Sequence, residues 1–256
     1  MSVEPISPEK LSEAGGSQLE PLTQTDAMAG TFTSPSDTFE TIAYTPVKNY
    51  WIIPILIAVV LGLITSYLFM SDKELTSKTM EKQKEKMMEK FEQNIKDGKM
   101  TKEDAEKAME TMNPESIFFK IFGYGGAIAL PFLTLFILSF IYLIIFKLMK
   151  AHFDFKNILN VVGLAMLISA VGGILSIVIS IIKGDFATIG PGLFLSENSV
   201  GEKIYSLLLK IDLFSIWFYA VIAVGLSRIS RIDILKTASF VFGVWIIYIA
   251  ATSFIF

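Results

Sequence analysis

Five long apolar runs are separated by short polar breaks along the chain, and one polar block divides the first run from the second. A helix needs roughly twenty apolar residues to cross the hydrocarbon of a bilayer, and each run meets that length. The pattern predicts spans at about Tyr50–Met70, Ile121–Phe146, Ile158–Ile182, Ile204–Leu226 and Ile234–Phe256. The fold class is therefore an all-α, polytopic membrane protein with five transmembrane helices. Lys210 and Asp212 are expected inside the first two turns of the fourth span.

Two segments of different character precede the first run. Residues 1–30 are polar, rich in Ser, Glu, Pro and Gly, and read as a disordered tail. They lack the apolar stretch of a signal peptide, so the first span is expected to act as its own insertion signal. Residues 31–49 carry helix punctuation in TFTSPSDTFETIAYTP: Ser34 as N-cap, Pro35 in the first turn, Asp37 completing a capping box, and Pro46 as the stop. Phe39, Ile42 and Ala43 form one apolar stripe, with Phe32 and Tyr44 beside it. So short an amphipathic helix does not persist alone in water. It is expected to lie on the membrane face, on the bundle or on a partner, with Phe32, Phe39, Ile42 and Tyr44 as the docking residues.

The polar block, residues 72–115, reads as a charged extramembrane helical hairpin inserted into a five-span domain that covers residues 50–256. Met80, Met87, Phe91 and Ile95 share one face of its first helix, and Asp97-Gly98 breaks it. Thr101 with Asp104 starts a second helix, whose apolar face is Ala105, Ala108, Met109 and Met112. The hairpin is expected to be structural or self-associating, or to offer its Met-rich seam to a partner helix. DGKMTKED is not a calcium loop, because the alternating acidic ligands are missing.

Charge matters only through where it falls. Lys147, Lys150 and Lys156 occupy one short loop, and Arg228, Arg231 and Lys236 another, which places both on the cytoplasmic side of a cell membrane. The N-terminus is then cytoplasmic and the C-terminus outside, with Gly190-Pro191-Gly192 in a turn on the far side. The hairpin also falls outside despite its ten lysines, which twelve acids offset.

The candidate chemistry is sparse. There is no cysteine, and His152 is the single histidine. No carboxylate pair lies in a span, and no nucleophile elbow or phosphate-binding glycine loop occurs. These absences predict no catalytic, metal or cofactor residues and no nucleic-acid partner. Asp212 is the one acid inside a predicted span, expected either to cap or bond a neighbouring helix or to serve an ion pathway. In span three, Ala165, Ser169 and Gly173 recur every four residues, as do Gly172, Ser176 and Ser180, a spacing that lets helices approach closely. Spans two and three are expected to be neighbours with Gly173 between them, and Pro131 is expected to kink span two.

FTSPSDTFETIAYTP followed by a Trp-led first span, and LLLKIDLFSIWFYAVIAVGLSRISRI followed by Lys236 and a last apolar helix, resemble the Yip-one domain family of five-span membrane proteins, in its prokaryotic branch. Asp212, Phe214, Trp217 and Gly225-Leu226 are the most specific part of the likeness. The resemblance implies that eukaryotic relatives bind Rab-type GTPases and serve vesicle formation. For this chain the reading is a non-enzymatic membrane adaptor or organiser whose partners are membrane lipids, other membrane or peripheral proteins, or copies of itself. A small permease or ion-coupled carrier centred on Asp212 is the alternative, and an accessory subunit of a larger complex is another.

Overall fold

The computed structural model describes residues 20–111, 113–151, 154–195 and 197–254. The first nineteen tail residues, Met112, His152 and Phe256 lie outside them. In chain order the helices are α1 (Gln24–Thr33), α2 (Pro35–Tyr44), α3 (Ile52–Ser71), α4 (Lys73–Lys96), α5 (Lys102–Thr111) and α6 (Ile117–Leu148). They continue as α7 (Phe155–Lys183), a 3-10 turn (Pro191–Leu193), α8 (Glu197–Val200), α9 (Glu202–Lys210), α10 (Leu213–Ser230) and α11 (Ile234–Phe254). Five of these, α3, α6, α7, α10 and α11, are long and apolar enough to cross a membrane. The fold is all-α, as the hydropathy pattern requires, with no strand among the described residues.

The spans alternate in direction, so the bundle has two ends. The N-terminal face carries α1, α2 and the short basic loops; the hairpin face carries α4, α5 and the segment 184–212. Helix α7 is the central post, packing against α3, α6 and α10. Every residue from Asn157 to Ile168 is buried. An all-round apolar helix sits either in lipid or in a protein core, and α7 is in the core at this end because α1 and α2 also pack on it. By contrast α6 and α11 expose broad apolar faces, among them Phe122, Leu130, Phe140 and Ile247.

Two polar clamps fix the N-terminal face. Asn160, fully buried in α7, donates from Nδ2 to the Lys48 carbonyl at 2.8 Å and accepts from the Trp51 amide at 3.2 Å. Gly163, one turn on, lets Trp51 come close, since a Cβ there would stand 2.6 Å from Trp51 Cβ. The second clamp is the Tyr50 hydroxyl, which donates to the Leu22 carbonyl at 2.8 Å, while Gln24 Nε2 donates to the Tyr50 carbonyl at 2.7 Å.

The structure corrects three expectations. The tail does not run disordered to residue 30, because α1 begins at Gln24, with Thr23 and Asp26 bonded reciprocally as its N-terminal box. Ala27 and Thr31 are buried in the fold. Ser34 sits at the N-cap of α2 without a side-chain capping bond, since it also closes α1 through its amide to the Gly30 carbonyl. The fourth run is two helices, α9 and α10, broken at Ile211 and Asp212. There the Leu213 amide bonds the Ile189 carbonyl across the fold at 2.9 Å, outside any helical ladder.

Helix α6 continues through Pro131. Proline has no amide hydrogen, so the Ala127 carbonyl loses its partner four residues on. That carbonyl lies against Gly62 of α3, 3.4 Å from where a Cβ would stand. In the hairpin, Asp72 caps α4 through the Leu75 amide at 2.8 Å, Gly98 turns the chain with φ 71°, and Thr101 and Asp104 bond each other reciprocally to start α5.

Candidate functional site

The break before α10 creates the most distinctive polar geometry near the membrane interior. Asp212 is the N-cap of α10: its Oδ1 accepts from the Phe214 amide at 2.9 Å and the Ser215 amide at 3.1 Å. Its Oδ2 accepts from the Ser215 hydroxyl. The carboxylate also faces the positive end of the helix dipole, which favours its charge. It is held in place by Gly190, whose imagined Cβ would lie 2.3 Å from the Ile211 carbonyl oxygen; only a glycine lets the 188–192 turn pack against the break. Lys210 turns away to the end of α11, donating to Thr252 Oγ1 at 3.0 Å and Ser253 Oγ at 2.9 Å. Burial pulls its ammonium below the ordinary lysine pKa.

Asp212 lies in the wall of a cleft of about 380 Å³ between α3, α7, the 186–188 segment and the start of α10. Hydroxyls from Thr65, Ser66, Ser169, Ser176, Thr188 and Ser215 line it. Ser169 is close to the midpoint of α7, so the cleft reaches from the hairpin face to mid-span. Thr65 and Thr188 spend their hydroxyl protons on the Leu61 and Leu209 carbonyls, at 2.9 and 3.0 Å. The cleft is thus a mainly apolar pocket edged by neutral hydroxyls and one capped carboxylate. Its one hydroxyl–carboxylate pair, Ser215 on Asp212, belongs to the cap of α10.

Above the cleft the hairpin is tied down by charge. Lys78 pairs with Asp185 at 3.3 Å, and Lys82 reaches Asp185 at 3.8 Å and Glu197 at 3.1 Å. Burial by itself would lower the Lys82 pKa, but the Glu197 hydrogen bond and the Asp185 and Glu197 charges outweigh it and hold the ammonium above its usual value.

The predicted site residues separate into distinct places. Gly172 and Gly173 line the cleft with Asp212. Gly172 is buried against the Phe214 ring, while Gly173 has no neighbour where a Cβ would project. Spans two and three are neighbours, as expected, yet Gly173 opens into the cleft because it faces α3 and α10 and not α6. Phe39 and Ile42 are core residues, 0% and 1% exposed. They cannot be a free docking surface: α2 lays its stripe on α10. Gly225 makes that contact possible, since its Cβ position is flanked by Val161 and Phe39 at 2.6 and 3.0 Å. Phe32 is half-buried edge-on to Trp217, with ring centres 5.6 Å apart. Tyr44 stays exposed, with the Arg231 guanidinium 5.2 Å over its ring. Pro131 lies in α6 and belongs to none of these groups.

Asn160 and the hydroxyls of α3 were not singled out from the sequence. The Asn160 signal was present, as one amide inside an apolar run, but its partners lie more than a hundred residues away.

Comparison with known proteins gives one match: the Yip1 domain covers residues 29–255, which takes in α2, all five spans and the hairpin. No curated protein and no solved structure matches the chain. With that match across nearly its whole length, this five-helix, multi-pass membrane chain belongs to the Yip1 domain family.

Proposed function

We propose that the protein is a non-enzymatic organiser of a cell membrane, acting through protein or lipid contacts, with α1 and α2 on the cytoplasmic side. One observation carries this. No Asp, Glu, Lys, Arg or His of the five spans lies beyond a span's terminal turns: Lys120 and Lys147 end α6, Lys156 and Lys183 end α7, Arg228 ends α10 and Lys236 starts α11. A proton or ion pathway is built on intramembrane charges, and Asp212, the acid the sequence placed inside a span, spends both oxygens on the first turn of its own helix. Lys147, Lys150 and Lys156 cluster at one junction on the α1 and α2 face and Arg228, Arg231 and Lys236 at another, which supports the orientation.

The test is photo-crosslinking in cells from positions on the projecting surface, Met88 on α4 and Tyr248 on α11, both more than half or half exposed. A specific protein, or a second copy, captured at either position is the expected outcome. Lipid adducts alone would count against protein docking, leaving the lipid-contact reading.

The cleft supports a second reading, a small carrier for an uncharged polar solute, because its hydroxyls reach mid-span. Solute flux in proteoliposomes that fails in Ser169→Leu, with the fold intact, would favour the carrier over the organiser.

A further inference from the structure

A second cavity lies at the opposite end of the bundle, where the chain ends of α2, α6 and α10 meet the first turn of α7. Its volume is about 470 Å³, and its wall includes Lys150, Asn157, Ser230 and Arg231 among apolar neighbours such as Ala43 and Ile232. Two basic residues therefore line one concave space, and the Arg231 guanidinium also stands over the Tyr44 ring. Among the described residues no carboxylate pairs with either. The nearby acids are already engaged: Asp154 accepts from the Lys156 amide at 2.8 Å, Asp233 from the Leu235 amide at 2.9 Å, and Glu40 pairs with Arg228 at 3.5 Å.

Lys150 and Arg231 terminate α6 and α10 in the left-handed conformation, with φ of 59° and 57°, where glycine or asparagine is the ordinary choice. Asn157 is 8% exposed, lines the same cavity, and its Oδ1 is buried without a hydrogen-bond donor. Such an orphaned acceptor is uncommon, and this one is closed off from the cavity.

We propose that this cavity binds a phosphate group, with Lys150 and Arg231 as its cations. Arg and Lys are the side chains that hold phosphate through charge-assisted bonds. The α7 amides do not supply the anion site, because Asp154 already caps them. The cavity sits where span ends lie, the depth of phospholipid headgroups. Leu148 and Leu235, 80% and 75% exposed beside it, offer apolar surface to an acyl chain. A lipid headgroup and a soluble phosphate ester share the chemistry, and the experiment separates them. The site is independent of the organiser reading, since a carrier could hold the same phosphate.

The test uses the full chain in a zwitterionic detergent, with native mass spectrometry of retained lipid from equal amounts of phosphatidylglycerol and phosphatidylcholine. Wild type is expected to retain phosphatidylglycerol, and Lys150→Gln/Arg231→Gln to lose that preference by about tenfold or more, the loss of roughly one charge-assisted contact. Lys48→Gln/Lys236→Gln removes the same charge from the same face outside the cavity and should keep the preference. Equal loss in both double variants, or no loss in the first, overturns the site. Inorganic phosphate or glycerol phosphate that displaces the lipid and raises the melting temperature only when Lys150 and Arg231 are present would identify a soluble ester as the ligand of the same site.

Discussion

Two adjacent glycines in α7 should respond in opposite ways to the same substitution. At Gly172 a Cβ would stand 2.5 Å from Phe214 Cβ and 2.6 Å from Phe214 Cγ. Carbon atoms rest about 3.5–4.0 Å apart, so Gly172→Ala forces α10 back by about 1 Å. The obstruction is the root of the Phe214 side chain, which rotation cannot clear. Overpacking of this kind costs about 1–3 kcal/mol. At Gly173 nothing lies within 4 Å, and Gly173→Ala meets only the cleft. Both substitutions gain about 1 kcal/mol of helix propensity, a term that cancels when the two variants are compared. The steric difference of about 1–3 kcal/mol is left, with Gly173→Ala the more stable. For a chain of this size each kcal/mol moves the melting temperature by about 2–4 °C, so thermal unfolding in one detergent should separate the pair by several degrees. Equal melting temperatures would refute the close approach of α7 to α10, and with it the account of how the cleft is walled.

Other expectations follow from the same geometry. Phe39→Ala empties a fully buried site between α2 and α10 and should cost about 3–5 kcal/mol, seen as lower thermal stability and faster proteolysis across α1 and α2; an unchanged digestion pattern would mean that α2 is not docked. Asp212→Ala loses the cap of α10 and should cost about 1 kcal/mol, whereas Asp212→Asn keeps an equivalent cap and gives up only about 0.3–1 kcal/mol of charge–dipole attraction; equal losses in the two would point to the charge. Because the folded-state pKa of Lys82 is raised, its contribution to hairpin docking is complete below the ordinary lysine pKa and disappears as pH rises through the folded value. For so exposed a pair it is worth at most about 1 kcal/mol. Hydrogen exchange across residues 184–200 should therefore stay protected at neutral pH and quicken above the ordinary lysine range, or in high salt; protection unchanged in both would remove the ion pairs from the docking.

Hydropathy alone determined the all-α class, the number of spans and, through Asp97-Gly98 and the Thr101–Asp104 box, the hairpin, because chain length in hydrocarbon and local capping are properties of consecutive residues. The short helix after Ser34 was legible for the same reason. Its destination was not: the stripe of Phe39 and Ile42 fits a membrane, a partner or the bundle equally well, and only the approach of α10 at Gly225 decided that it lies inside. The fourth span was expected to start too early because the apolar residues on either side of Lys210 and Asp212 outweigh those two charges over a span-length window. The break there is made by Ile189 and Gly190, which reach it from another part of the chain and leave Asp212 as a cap. Likewise, Gly172 and Gly173 are indistinguishable as letters in a row. A helix turns about 100° per residue, so one meets Phe214 and the other an open cleft. Local signals set the elements and their ends, while the contacts that give each polar or small residue its role depend on which distant helix it faces, and that was decided by the packed bundle.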